Sequence, residues 1–217
     1  MTQRISVLIA DDHSIVREGL RAVINAESDM KLIGEAGDGE EARQKALTLK
    51  PDVIVMDLMM PRKNGLDATK EIKQANPHAR ILVLTSFAED EMVFSAIKAG
   101  ALGYLLKDSS AQELPDAIRC LYRGESSLHP SIARKLVMHC AQDVNSDPDA
   151  LTEAEIQVIK LLAHGLKNQA IGAELNISER TARFHVSSIL SKLHLENRTE
   201  AALYAIRKGL VSPEDKV

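Results

Sequence analysis

Ile5-Ser6-Val7-Leu8-Ile9-Ala10-Asp11-Asp12-His13 near the start of the chain, and Val53-Ile54-Val55-Met56-Asp57 further along, decide the fold. Each is a short apolar run that stops at carboxylates. Runs of this length, rich in Val and Ile, read as strands buried on both faces of a sheet. Between them Ile15, Val16, Leu20 and Val23 form an amphipathic stretch, Lys31 to Gly34 is a short edge-like strand, and Ala42, Ala46 and Leu49 recur at helical spacing. Beyond them come a helix over Gly65–Ala75, a strand over Ile81–Leu84, a helix over Asp90–Ala99, a strand over Tyr104–Leu106 and a helix over Ala111–Tyr122. Strands alternating with helices predict a five-stranded, parallel, doubly wound flavodoxin-like α/β domain of strand order 2-1-3-4-5, with its site at the carboxyl ends of the strands.

After Gly124 the pattern changes. Pro130 to Cys140 can form one helix, and Gln142-Asp143-Val144-Asn145-Ser146-Asp147-Pro148-Asp149 is polar and breaker-rich, hence a linker. From Leu151 only short helices follow, opened by Thr152-Glu153-Ala154-Glu155, a capping-box pattern. The expected organisation is α/β plus all-α: residues 4–123, a linker with a helix over 124–149, and a four-helix domain over 150–212.

Composition bounds the function. The chain has 217 residues with 3% aromatics and no Trp, which disfavours an aromatic sandwich or a base-stacking single-strand binder. Cys120 and Cys140 make neither a disulfide framework nor a Cys-x-x-Cys zinc site, and they fit a reducing compartment. His129, His139 and Cys140 also lack metal-site spacing and read as structural. No signal-peptide core and no membrane-length apolar run is present, so a cytoplasmic protein without a membrane partner is expected. The net charge of −4 argues against nucleic acid when taken whole. Split by domain it does not: residues 1–125 carry 16 basic and 20 acidic side chains, residues 126–217 carry 11 of each, and 166–208 holds seven basic against four acidic.

In strand order 2-1-3-4-5, Asp11 and Asp12 after strand 1, Asp57 at the end of strand 3, Thr85 at the end of strand 4 and Lys107 at the end of strand 5 converge on one edge. Three carboxylates packed together repel unless a cation neutralises them, and Mg²⁺ suits oxygen donors beside an incoming phosphate. Asp57 then has the chemistry of a nucleophile forming an acyl phosphate. Lys107 can neutralise phosphoryl oxygens, and Thr85 can donate a hydrogen bond to one.

These stretches, with Met56-Asp57-Leu58-Met59-Met60-Pro61, Asn64-Gly65, Leu84-Thr85-Ser86 and Tyr104-Leu105-Leu106-Lys107, resemble the receiver domain of bacterial two-component response regulators over residues 4–122. The resemblance implies Asp57 as phosphoacceptor, with Mg²⁺ held by Asp12, Asp57, the Met59 carbonyl and Asp11. It implies a phosphohistidine on a sensor histidine kinase as donor, movement of Thr85 towards the phosphoryl group, and Tyr104 swinging inward as a switch. Met59 and Phe87, two residues after Asp57 and Thr85, cannot orient a water by hydrogen bonding, so slow self-dephosphorylation is expected.

In the helical domain, Leu166 to Asn176 reads as a helix, and Ser178 as the N-cap of another running to Leu193. At about 100° per residue, Ala182, Val186, Ile189, Leu190 and Leu193 face a core. Arg180, Arg183, Phe184, Ser187 and Ser191 lie opposite, flanked by Thr181, His185, Ser188 and Lys192. That opposite face has no acid after Glu179 and suits base edges and phosphates, with an exposed Phe184 able to touch a thymine methyl. Leu151-Thr152-Glu153-Ala154-Glu155, Gly165-Leu166-Lys167-Asn168, Ile177-Ser178-Glu179-Arg180-Thr181 and Ser191-Lys192-Leu193 resemble the LuxR-type helix-turn-helix, giving with the receiver the NarL/FixJ architecture.

That resemblance implies base-edge roles for Arg183, Phe184 and Ser187 and phosphate roles for Asn168, Thr181, His185 and Lys192, with Arg180 on the same face. Ala182 stands where valine is typical and Ser187 where some relatives carry lysine, so no DNA sequence preference transfers. The expected protein is a transcriptional regulator rather than an enzyme, binding double-stranded promoter DNA as a homodimer when Asp57 is phosphorylated. Leu203, Ala205 and Ile206 in the last helix fit either that dimer contact or the domain's own core. A phosphatase of the haloacid-dehalogenase kind would need a second Asp where Met59 stands. A helical domain binding protein or RNA is the other rival, and salt dependence separates it.

Overall fold

A computed structural model of the chain describes residues 4–86, 90–110, 112–128, 132–134 and 150–211. The chain forms two compact units, 1–142 and 143–217. The first contains β1 (Ile5–Ala10), α1 (Ser14–Ala26), β2 (Met30–Ala36), α2 (Gly39–Leu49), β3 (Val53–Met56) and α3 (Gly65–Ala75). It continues through β4 (Ile81–Thr85), α4 (Asp90–Lys98), β5 (Gly103–Leu106), α5 (Glu113–Tyr122) and β6 (Ser127–Leu128). The sheet is parallel throughout, in the order β2-β1-β3-β4-β5-β6.

The sixth strand goes beyond the five expected. Two residues, with Ser127 opposite Gly103 and Leu128 opposite Tyr104, are too few to leave an alternating pattern in the sequence. The strands feed two cores. Val7, Ile9, Val53, Val55, Leu82 and Leu84 point to one, with Ile24 of α1 and Leu114, Ile118 and Leu121 of α5. Leu8, Ala10, Ile54, Met56 and Ile81 point to the other, with Ala42 and Ala46 of α2 and Ala68 and Ile72 of α3. Successive strand residues face opposite ways, so a run apolar throughout must be covered on both sides. Each fully buried Ile or Leu contributes about 1.5–3 kcal/mol.

Ile15 departs from the expected buried face of α1, being 82% exposed. Val16, Leu20, Val23 and Ile24 fall within one arc at about 100° per residue, and Ile15 lies outside it. Leu49, the last residue of α2, is exposed as well.

The second unit contains α6 (Glu153–Ala163), α7 (Asn168–Glu174), α8 (Glu179–Lys192) and α9 (Arg198–Arg207) around one core that includes Val158, Ile159, Leu162, Ile171, Ala182, Val186, Ile189, Ala201 and Ala205. The capping box at the start of α6 is formed: Glu155 N donates to Thr152 Oγ1 at 3.3 Å and Thr152 N donates to Glu155 Oε2 at 2.9 Å. Between α7 and α8 the chain turns through Asn176 at φ 55°, and Ser178 Oγ accepts from Thr181 N at 2.9 Å. Gly172 makes the close approach possible, since a Cβ there would stand 2.8 Å from the Ile177 carbonyl oxygen. Of the last-helix trio, Ala205 is core, while Leu203 and Ile206 are exposed.

Among the described residues no helix is long and apolar enough to cross a membrane. The sequence readings at Phe87, His129, His139 and Cys140, the breaker-rich stretch 142–149 and most of the helix expected over 130–140 lie outside the described residues.

Candidate functional site

The carboxyl ends of β1, β3, β4 and β5 bring Asp11, Asp57, Thr85 and Lys107 together. Asp11 follows β1 and Asp57 follows β3, neighbours held by the Asp57 N–H donating to the Ala10 carbonyl at 2.8 Å. Lys107, just past β5, is tied to β4 by its N–H donating to the Thr85 carbonyl at 2.9 Å. Its ammonium lies 2.6 Å from Asp11 Oδ2 and 2.8 Å from Asp57 Oδ2. The other Asp57 oxygen, Oδ1, accepts from the Met59 N–H at 3.2 Å. Asp57 is 2% exposed, and burial pushes its carboxyl above the ordinary aspartate range; Lys107 opposes the shift and Asp11 adds to it.

Asp11, Asp12, His13 and Asp57 each offer one ligand atom, all within 4.8 Å of one another. Their oxygen-rich donor set fits a hard divalent cation. His13 was not among the expected ligands. Its Nδ1 lies 2.8 Å from Asp12 Oδ1 and 3.4 Å from Asp11 Oδ1, and its only signal in sequence is that it follows the aspartate pair. Thr85 is wholly buried, and its hydroxyl has no hydrogen-bond partner among the described residues. Leaving such a group unpaired is costly, and its hydroxyl can donate to an acceptor brought to it. Tyr104, beside Val83 of β4, is buried, so the switch residue expected to move inward lies inside here.

The loop from Asp57 to α3 is shaped by Gly65, where a Cβ would fall 1.9 Å from the Asp57 carbonyl oxygen. The Gly65 N–H donates to the Leu58 carbonyl at 2.9 Å, and Asn64 caps α3 by accepting from Asp67 N at 2.8 Å. Arg62, at φ 63°, pairs with Asp38 at the start of α2.

In the helical unit, Arg183 is exposed and Arg180 and Ser187 are half-buried on one side of α8. Arg183 lies 3.3 Å from Glu179 of the preceding turn. Phe184 corrects the sequence reading: it is 4% exposed, with its ring edge-on to that of His185 at a centroid distance of 5.9 Å, and so is not the open apolar ring expected. Thr181 and His185 are buried too. Asn168 begins α7, and its Oδ1 is buried without a partner among the described residues. Lys192 lies 2.6 Å from Glu155, an ion pair that sequence reasoning missed because nothing local links residues so far apart.

The family description "Response regulator receiver domain" matches residues 7–119, and "Bacterial regulatory proteins, luxR family" matches 149–205. LiaR, a transcriptional regulatory protein of Bacillus subtilis, is 45% identical over 210 residues, covering 96% of this chain and all of that one. The response regulator VraR of Staphylococcus aureus is 41% identical over 207 residues, covering 95% of this chain and 99% of VraR. Among solved structures, RcsB of Salmonella enterica serovar Typhimurium, bound to promoter P1flhDC with a phosphomimetic, aligns at a TM-score of 0.62 and 28% identity over 93% of this chain and 98% of that one. An acid-and-lysine cluster at the edge of a parallel sheet, a helix-turn-helix unit and relatives matched along nearly their whole length agree with one another: the chain belongs to the two-component response regulators that join a receiver domain to a LuxR-type DNA-binding domain.

Proposed function

We propose that Asp57 accepts a phosphoryl group from the phosphohistidine of a sensor kinase, and that the modified receiver promotes dimeric binding to promoter DNA. The observation that carries this reading is the buried Asp57 carboxylate paired with Lys107, with a buried Thr85 hydroxyl at the end of the adjacent strand β4 that has no hydrogen-bond partner among the described residues. An Asp57 oxygen attacks phosphorus as the phosphorus–nitrogen bond of the donor breaks. Lys107, already 2.8 Å from Asp57, meets the added negative charge, and Thr85 donates to a phosphoryl oxygen. Asp11, Asp12 and Asp57, with the Met59 carbonyl, are the groups that would hold Mg²⁺. When bound, Mg²⁺ neutralises charge on the phosphoryl oxygens. Repacking around Thr85 and Tyr104 passes the change to the surface of α4, β5 and α5.

On the DNA side Arg183, with Arg180 and Ser187, carries the base-reading proposal, and Asn168 the phosphate one. Thr181, Phe184 and His185 are buried, and contact by them requires that face to open. The exposed Leu203 and Ile206 of α9 offer an apolar contact for the dimer. A regulator of this kind works in the cytoplasm, where the chromosome is. The proposed boundaries remain 4–123, 124–149 and 150–212, near the matched spans of 7–119 and 149–205.

The test is phosphorylation by acetyl phosphate with Mg²⁺, read by intact mass, and DNA binding read by footprinting. Wild type is expected to gain one phosphoryl group and bind more tightly. Asp57→Ala is expected to do neither. DNA binding by Asp57→Ala that still responds to the donor overturns the assignment.

A further inference from the structure

Lys192 stands at the end of the DNA-reading helix, where a cation would meet a phosphate by default. The geometry turns it elsewhere. At about 100° per residue it lies roughly 140° around α8 from Ser187 and roughly 180° from Arg183. Its ammonium sits 2.6 Å from Glu155 Oε2 and 3.4 Å from the Ala150 carbonyl. One turn earlier on α8, Ser188 donates from Oγ to Glu155 Oε1 at 2.7 Å. Oε2 also takes the Thr152 N–H at 2.9 Å. Glu155 is 3% exposed, and both its oxygens are engaged by α8 and by the start of α6. A buried carboxylate so fully used is a fixed point: neither helix shifts without leaving a charge or a hydroxyl unpaired.

We propose that Glu155, Ser188 and Lys192 form a clamp that sets the tilt of α8 on α6, and that Lys192 acts on DNA recognition as a positioning residue rather than as a phosphate contact. The clamp holds the second half of α8, so a loosened clamp lets the helix pivot and displaces Arg183 and Ser187 from the bases. It also takes one cation out of the basic segment, so its loss leaves the count of phosphate contacts unchanged. The proposal rests on α8 being the reading helix, and Arg183→Ala reports on that separately by weakening binding to selected DNA.

The experiment uses the full chain with acetyl phosphate and Mg²⁺, a duplex selected by the wild-type protein from a random pool, and an unrelated duplex of equal length. Affinities are measured against salt. Lys192→Met is expected to lose about ten-fold on the selected duplex, the scale of one base contact. On the unrelated duplex its slope of log affinity against log salt should match wild type. A slope shallower by about 0.9, the signature of one lost phosphate contact, overturns the proposal, as does unchanged affinity for the selected duplex. Should Lys192→Met lose helix content by circular dichroism, Glu155→Gln decides. The clamp predicts a similar loss of selected binding at unchanged slope. A freed lysine meeting phosphate instead tightens unrelated DNA and steepens the slope, and that result refutes the clamp. If the clamp holds, adding Lys192→Met to Glu155→Gln costs little more.

Discussion

Lys107 shows how much chemistry one position carries. Its ammonium bridges Asp11 and Asp57, so two buried carboxylates that would repel share one counter-ion. The convergence of these residues was legible because each ends or follows a strand of a parallel sheet, whose order brings the strand ends together. Side-chain exposure was less legible. Angular bookkeeping on a helix says which residues oppose the core, but not what covers them, and so it misread Phe184. Ile15 was grouped with Val16, Leu20 and Val23 by its apolar character alone, although its angle on α1 sets it outside their arc. Met59 supports a prediction at this scale. It is buried two residues after Asp57 and cannot hydrogen-bond a water. Replacing it with Asn is expected to shorten the lifetime of the acyl phosphate about ten-fold, the worth of one hydrogen bond to the attacking water. Decay of the phosphorylated form on phosphate-affinity gels measures this, and an unchanged lifetime contradicts it.

Among the elements, strands β1 and β3 and helix α3 follow the expected bounds, because apolar runs bounded by carboxylates, glycine or asparagine leave little choice. The β6 strand was invisible, since it has only two residues and gains its place from β5. Helix caps carry two predictions. Ser178→Ala removes the acceptor for the first turn of α8 and should cost about 1 kcal/mol of stability, seen in thermal melts of the helical unit's transition. The second concerns acid. Burial raises the Glu155 carboxyl, but hydrogen bonds from Lys192, Ser188 and Thr152 outweigh it and leave the group below its ordinary value. Its stabilising effect is therefore full above the unfolded glutamate value of about 4.5 and is lost as pH falls through the lower folded value. Melts from about pH 6 to 3 should show wild type losing its advantage over Glu155→Gln across that window. A gap independent of pH contradicts the sign.

For the whole molecule, charge is the informative quantity and has to be read segment by segment. The chain is net −4, yet the family match and the fold make it a DNA-binding regulator. Residues 1–125 carry that excess of acid, part of it gathered in the Asp11, Asp12 and Asp57 cluster, while residues 126–217 are neutral. DNA affinity is expected to fall steeply with salt despite the overall negative charge, by roughly 0.9 log units per log unit of salt for each phosphate contact. A titration of duplex binding between low and physiological salt checks it, and a flat response would favour a protein partner.

The two-sided burial of β1 and β3 has one more consequence. In a sheet with one wet face, a strand that slips by one residue exposes apolar side chains and hides polar ones, so polarity polices alignment. Here both faces are dry, and a slip of β1 would merely trade Val7 and Ile9 for Leu8 and Ala10. What forbids it is size. The side that receives α2 and α3 is lined with Ala10, Ala36, Ala42, Ala46 and Ala68, and branched residues arriving there would overfill it. A slip would also carry Asp11 into the apolar interior. Alignment is thus encoded by small side chains on one flank and by the charged terminus of the strand, and the carboxylate proposed as a cation ligand also acts as the stop that tells the strand where to end.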